Sequence, residues 1–435
     1  MLFRSILLGL PLVQALIVTP HDSHGHDHIH EVRRSLPDSW YQPEGHPIHD
    51  LFKRDTDDGA DYPAVGSPAW SAGYPTGAPD TTNLPAAWVA ALNAAVAAGK
   101  IPSIPPTTNT PGTNPVYPTG IDPSSPSVCS ATYKCRIPGD IWDSPDGVFA
   151  SSFDDGPSPL TPSLVQFLGG NNDTTTHFMI GINIIYYPSQ FLTALNAGHD
   201  IGVHTWTHPY MTTQSNLDLL GQFGYTIQLI HDSSGGRVPR YWRPPYGDSD
   251  MRVRAIALEV FGLETVIWNQ DTDDWDGTPD SIQAAMTRFL AMPKSPGLIV
   301  LEHEIASTTV NGFMTAYPMI KSNGWKFMSL AKAIADGRTY QNAEGSLSDD
   351  VESAGILVES TSTSTALPTT TLALVATSIA QSNTSVTSAT SAANNLSPTP
   401  EISQISAAIL HGGNLKQLAS LSLLSSVLVF SHLLL

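Results

Sequence analysis

The chain has 435 residues and carries 39 acidic against 20 basic side chains, for a formal net charge of −19. That length allows more than one domain, while the charge argues against nucleic acid as a partner, because phosphate binding needs a basic surface. An acidic field instead concentrates cationic partners, a cationic polymer among them.

Residues 1–15 read as a secretory signal: Arg4 precedes the apolar run Ile6 to Val18, and Val13-Gln14-Ala15 offers a small-residue cleavage site. The run is short of the ~20 residues of a membrane span. From 16 to 54 the chain is polar, with His21, His24, His26, His28 and His30 and the dibasic pairs Arg33-Arg34 and Lys53-Arg54. A propeptide or disordered leader is expected there, with metal storage by the His tract as the minor alternative. Residues 55–135 are rich in Pro, Gly and Ala and too poor in large apolar residues to fold alone. They are expected to wrap around the next domain, with one helix from Pro85 to Ala98 closed by Gly99. Cys129 and Cys135 are the only cysteines. In a secreted chain they are expected to form one local disulfide, worth roughly 2 kcal/mol. Any metal must then be held by His and carboxylates.

Residues 136–340 carry the folded core. Short apolar runs recur at 147–150, 177–180, 200–203, 265–268 and 298–301, each the length of a buried strand. Helical segments at 162–168, 189–197 and 280–291 lie between them. This alternation predicts an α/β fold with a parallel sheet covered by helices. About 200 residues is small for a complete eight-unit barrel, so a distorted, incomplete (β/α) barrel is expected, its polar motifs at the carboxyl ends of the strands. Beyond 345 the Ser, Thr and Ala composition to 412 predicts a disordered, O-glycosylated stalk. Residues 413–435 end in an apolar tail, Leu418 to Leu435, preceded by small residues. That is the pattern of a GPI-attachment signal, with Ser406, Gly412, Gly413 and Asn414 as candidate attachment residues; a tail-anchored helix is the alternative. Asn172, Asn383 and Asn395 stand in N-glycosylation sequons.

His204 and His208 are spaced to share one face of a helical turn, about 5–6 Å apart at Cβ. With a carboxylate from the upstream Asp154-Asp155-Gly156-Pro157 turn they would make a three-ligand site open to water, as catalytic zinc sites are built. Singly these pieces carry little weight: an Asp-Gly-Pro is usually only a turn, and a spaced His pair is usually structural. Their order is what informs. Five polar clusters follow one another: Ser152-Phe153-Asp154-Asp155-Gly156-Pro157, His204-Thr205-Trp206-Thr207-His208, Arg243-Pro244-Pro245-Tyr246, Asp271-Thr272-Asp273-Asp274-Trp275 and Leu301-Glu302-His303.

This set resembles the five motifs of the polysaccharide deacetylase family, carbohydrate esterase family four, over about residues 136–340. Ser152 stands where the family usually has Thr. The secreted, stalked, lipid-anchored layout resembles the fungal members that act on chitin. The resemblance implies a metal-dependent amidohydrolase that removes acetyl groups from N-acetylglucosamine polymer. It implies Asp155, His204 and His208 as ligands of one divalent ion, with Zn2+ expected and Co2+ the alternative. Asp154 would be the general base, oriented by Arg243, and His303 the general acid, paired with Asp274. The backbone N–H of Tyr246 would serve the oxyanion, and Trp275 and Leu301 would line the acetyl pocket. A monomer at the outer face of the plasma membrane and in the cell wall, held by a GPI lipid, is expected. The motifs leave open acetylated xylan, other amino-sugar polymers or short oligosaccharides as substrate, and also a wall protein carrying an inactive barrel. Trp206, Trp242, Trp268 and Trp275 read as core, with one or two free to stack on sugar.

Overall fold

The computed structural model describes residues 62–334 and 337–343, together with Val351 and a two-residue strand pair, Arg54–Asp55 antiparallel to Ser353–Ala354. The signal, most of the leader, most of the stalk, the tail, Asn383, Asn395 and the attachment candidates lie outside the described residues.

One long strand organises the core. β1 (Val148–Gly156) is buried at every position. Its side chains alternate between two apolar clusters. Phe149 and Phe153 pack outward against helices, while Val148 and Ala150 join Phe178, Tyr241 and Ile299 on the other face. The other strands are short: β2 (Thr176–Met179), β3 (Asp200–Val203), β4 (Tyr241–Trp242), β5 (Glu264–Thr265), β6 (Gln270–Asp271), β7 (Leu298–Leu301) and β8 (Lys326–Ser329). All pair in parallel, in the order β5-β4-β3-β2-β1-β7-β6, and β8 sits beside the first half of β1. The two ends of this path, β5 and β6, belong to one stretch of chain, 264–271. The sheet therefore curls until the backbone itself joins its edges, giving a distorted barrel with fewer than eight full units.

Helices cover the outside. They are α1 (Pro68–Ser71), α2 (Ala86–Ala97), α3 (Thr161–Gly170), α4 (Gly181–Tyr186), α5 (Pro188–Asn196), α6 (Asn216–Ser233), α7 (Met251–Phe261), α8 (Pro279–Leu290), α9 (Ser307–Ser322) and α10 (Leu330–Ala333). α2, α3, α5 and α8 lie within two residues of the helices expected from the sequence, whereas α1, α4, α6, α7, α9 and α10 were not expected. The start of α6 is fixed by a capping box: Ser215 Oγ accepts from the Asp218 N–H at 3.2 Å, and the Asp218 carboxylate accepts from the Ser215 N–H at 3.1 Å. No helix among the described residues is long and apolar enough to cross a membrane.

The N-terminal segment reaches into this shell rather than folding alone. Trp70 and Trp88 are buried in the cluster of α6 and α7. Trp70 donates to Ser233 Oγ at 2.8 Å, and Trp206 donates to the Gly77 carbonyl at 2.9 Å. Cys129 and Cys135 are disulfide-bonded, and both of their carbonyls accept from the Arg254 guanidinium.

Gly224 on α6 is the seat of Trp88: a Cβ there would lie 2.3 Å from the indole. Alanine normally gains about 1 kcal/mol over glycine inside a helix. Here overpacking against a ring held edge-on by Tyr225 and Phe261 costs about 1–3 kcal/mol and should win. Gly224→Ala is expected to lower the melting temperature by about 2–6 °C. A higher melting temperature, read by calorimetry, would contradict the docking of α2 on α6.

Candidate metal centre and active site

All five motifs meet at the carboxyl ends of the strands. Asp154 and Asp155 end β1, His204 follows β3, Arg243 follows β4, Asp274 lies three residues past β6, and His303 lies two past β7. An isolated bridge pairs Asp154 with His303, which brings the first motif beside the last.

The His pair is not on a helical turn, which corrects the reading of the spacing. Residues 204–208 form an irregular loop in which Thr205 and His208 have φ of 65° and 60°. A β-branched residue rarely adopts that conformation, so the loop needs external support. Gln222 of α6 supplies it, its Oε1 accepting from the N–H groups of both Trp206 and Thr207 at 2.9 Å. The Thr205 hydroxyl also accepts from the His208 N–H at 3.0 Å. Asp155, Tyr246 and Asp273 are also in the left-handed region. Strain of about 1–3 kcal/mol each is thus gathered around the site.

The loop turns both imidazoles onto one carboxylate oxygen. Asp155 Oδ1 is 3.2 Å from His204 Nε2 and 3.1 Å from His208 Nε2. One ligand atom from each residue lies within 4.8 Å of the others. His204 Nδ1 lies 2.8 Å from the Arg243 carbonyl. A carbonyl can only accept, so Nδ1 carries the proton and Nε2 keeps its lone pair for an ion. Asp155 Oδ1 is buried and has no hydrogen-bond donor of its own. Burial opposes ionisation of Asp155, but His208, His204 and His303 outweigh it and hold the carboxyl well below its ordinary range. Burial keeps the His208 imidazole below its usual value. An ionised carboxylate beside imidazole lone pairs is the donor set that a divalent cation requires. The residues fit a divalent ion.

Asp154 faces another way. Its Oδ1 accepts from the Arg243 guanidinium at 2.7 Å, and its Oδ2 stands 3.9 Å from His204 Nε2. Arg243 is wholly buried, 4.4 Å over the Phe178 ring, with its other amino group 3.3 Å from the Ile267 carbonyl. The two neighbouring aspartates are therefore partnered differently, one by imidazoles and one by a guanidinium.

His303 is clamped by Asp274, whose Oδ1 lies 2.6 Å from its Nδ1 and whose Oδ2 accepts from its backbone N–H at 2.8 Å. Burial alone would depress this imidazole. Asp274, with Asp155 and Asp154, reverses that and pushes it up to about 10. Leu301 is buried, whereas Trp275 (51 % exposed) and Tyr246 (43 %) stand at the rim. Tyr246 stacks on Tyr210 at 4.0 Å and meets the His208 ring edge-on at 4.7 Å. Trp206 and Trp242 are core, and Trp268 is partly buried behind Arg243. Asn172 is exposed after α3. Gln222, Tyr210 and the buried set Glu304, His177 and His199 belong to none of the five motifs. Only Glu304, adjoining the fifth motif, carried any local signal.

Three side chains that could hold a cation, with a second carboxylate and a further imidazole on separate partners beside them at the carboxyl ends of the strands, form an arrangement suited to hydrolysis. The sequence relatives agree. The family model for polysaccharide deacetylase matches residues 143–265. Chitin deacetylase 3 of Cryptococcus neoformans var. neoformans is 40% identical over 326 residues, covering 73% of this chain and 77% of that protein. The chitin deacetylase of Amylomyces rouxii is 34% identical over 263 residues, 58% of this chain and 60% of that protein. The solved chitin deacetylase of Colletotrichum lindemuthianum is 26% identical, with a TM-score of 0.43 over 46% of this chain and 94% of that one. The chain belongs to the polysaccharide deacetylase family.

Proposed function

We propose that the protein hydrolyses the N-acetyl groups of N-acetylglucosamine units in chitin, releasing acetate and leaving chitosan. The observation that carries this is the joint placement of Asp155, His204 and His208 on one point, with Asp154 and His303 beside it on separate partners. The relatives named above supply the substrate.

Asp155, His204 and His208 would hold one divalent cation, zinc in preference to cobalt given two imidazoles and one carboxylate. Such an ion would supply Lewis acidity and make water easier to deprotonate near neutral pH. Asp154 then takes the proton of the attacking water, its free oxygen aimed at the site while Arg243 fixes the other. The water oxygen would bond to the acetyl carbon, with the backbone N–H of Tyr246 serving the oxyanion. His303, held protonated by Asp274, gives its proton to the nitrogen as the C–N bond breaks. Leu301 and Trp275 line the acetyl pocket.

The remaining organisation belongs to the same proposal. A signal peptide ends at 15, a leader at 54 and a wrap at 135; the catalytic unit runs 136–340, the stalk 345–412 and the attachment signal 413–435. The protein acts as a monomer, secreted and tethered by a GPI lipid against cell-wall polysaccharide. The experiment is acetate release from chitin oligomers by residues 55–345, with chelator and then with zinc restored. Release that survives complete metal removal would sink the mechanism. Release from acetylated xylan but not from chitin oligomers would move the substrate.

A further inference from the structure

Behind the active site lies a buried polar chain that the chemistry above does not use. Glu304 is fully buried one residue beyond the acid, on the helix-facing side of the sheet. Its Oε2 accepts from Thr161 Oγ1 at 2.6 Å, and its Oε1 lies 2.7 Å from His177 Nδ1. His177 Nε2 in turn lies 2.8 Å from His199 Nδ1. All three side chains are withdrawn from solvent, and burial, with His177 and Lys332 adding, pulls the His199 imidazole down to about 2.

The route this carboxylate takes is the informative part. Glu304 follows β7, which lies on one side of β1, whereas His177 is on β2, on the other side. To join them the side chain must cross the end of β1, and it crosses at Gly156. A Cβ at Gly156 would stand 2.0 Å from Glu304 Oε1 and 2.5 Å from its carboxyl carbon. Gly156 has no positive φ. Glycine is therefore required there for space, and the space is filled by a carboxylate. Backbone contacts bind the same two segments. The Asp154 N–H donates to the Glu302 carbonyl at 2.9 Å, the Glu304 N–H to the Asp154 carbonyl at 3.3 Å, and Ser158 Oγ to the Glu304 carbonyl at 2.5 Å.

We infer that Glu304, seated through Gly156 on His177 and His199, is a positioning residue that fixes the acid-bearing segment 302–304 against the turn carrying the base and the carboxylate ligand. It touches no substrate. Its work is to keep His303 and Asp154 at a constant separation, which matters because a misplacement of about 1 Å in reacting groups costs about a hundredfold in rate. Beyond the two backbone hydrogen bonds and the Ser158 contact, the carboxylate seated under the turn ties the segment across β1 to His177 on β2.

This inference rests on the deacetylase reading, and the two fail differently. If wild type releases no acetate, the reading is at fault. The test of the inference is a comparison of Glu304→Ala, Glu304→Gln and His177→Gln in the zinc-loaded protein. Expected is a fall in kcat of about thirty- to a hundredfold for Glu304→Ala, with KM within twofold and one zinc per chain retained. Glu304→Gln, which keeps the volume and one acceptor oxygen but puts an NH2 donor in place of the other, should recover part of the rate, and His177→Gln should fall between wild type and Glu304→Ala. A purely structural role would instead lower the folded or zinc-loaded fraction while leaving kcat per zinc-loaded molecule unchanged. That result, or wild-type kcat in Glu304→Ala, overturns the inference.

Discussion

Asp155→Asn is expected to abolish stoichiometric zinc binding and to lower kcat/KM by more than about a hundredfold, the most that loss of an outer-shell partner alone costs. The amide keeps the shape of the carboxylate but removes the only anion among the three ligand side chains, and a buried site feels that charge far more than an exposed one does. Folding should survive. Asn tolerates the left-handed backbone that position 155 requires, at φ 69°, so an unchanged melting curve separates lost chemistry from lost structure. Asp154→Asn is the contrast. Its partner is Arg243 rather than the imidazoles, so zinc should stay bound while the rate falls about 10²–10⁴-fold, as for a lost general base. Zinc content by elemental analysis, set beside acetate release, decides both. Full zinc occupancy in Asp155→Asn would remove that residue from the ligand set.

The residue types of this site were legible in the sequence because the chemistry constrains them: two imidazoles, paired acids, a lone arginine and a last histidine, in order. Their geometry was less legible. A spacing of four is compatible with a helical turn, but the loop reaches the same convergence through positive φ at Thr205 and His208, supported by Gln222 fourteen positions after His208. Strand ends were hidden for a related reason. β1 continues through Ser152 to Gly156, since its polar residues are buried partners rather than a turn at the surface. β4 and β6 have two residues each, too few for any periodicity. The longest helix, α6, was masked by Gly221 and Gly224, which weaken its local propensity and are explained by Pro79 and Trp88 pressing against them. The pair of Glu304 with His177, 127 positions apart, leaves no local pattern at all; only the strand order, which sets β2 and β7 on either side of β1, brings them within reach.

The pairing of His303 with Asp274 fixes how the reaction should depend on pH. A general acid must be protonated, so activity is lost as pH rises through its pKa. With that pKa pushed up to about 10, the basic limb of kcat/KM lies well above the 6.5 of an ordinary imidazole. A bound divalent cation offsets the contribution of Asp154 and Asp155, but not the direct contact with Asp274. Asp274→Asn should therefore move the basic limb to lower pH by about 1–3 units and lower kcat about 10²–10⁴-fold at alkaline pH. The sign for stability follows from the same shift. A histidine raised from 6.5 to about 10 on folding contributes stability that is fully present below pH 6.5 and is lost as pH climbs through 10. Asp274→Asn should thus destabilise the protein most near pH 6 and least above pH 10, as denaturant melts at both would read. A basic limb unmoved by the substitution would mean that some other group hands the proton to the leaving amine. The clamp on His303 would then serve only to hold the end of β7 against β6.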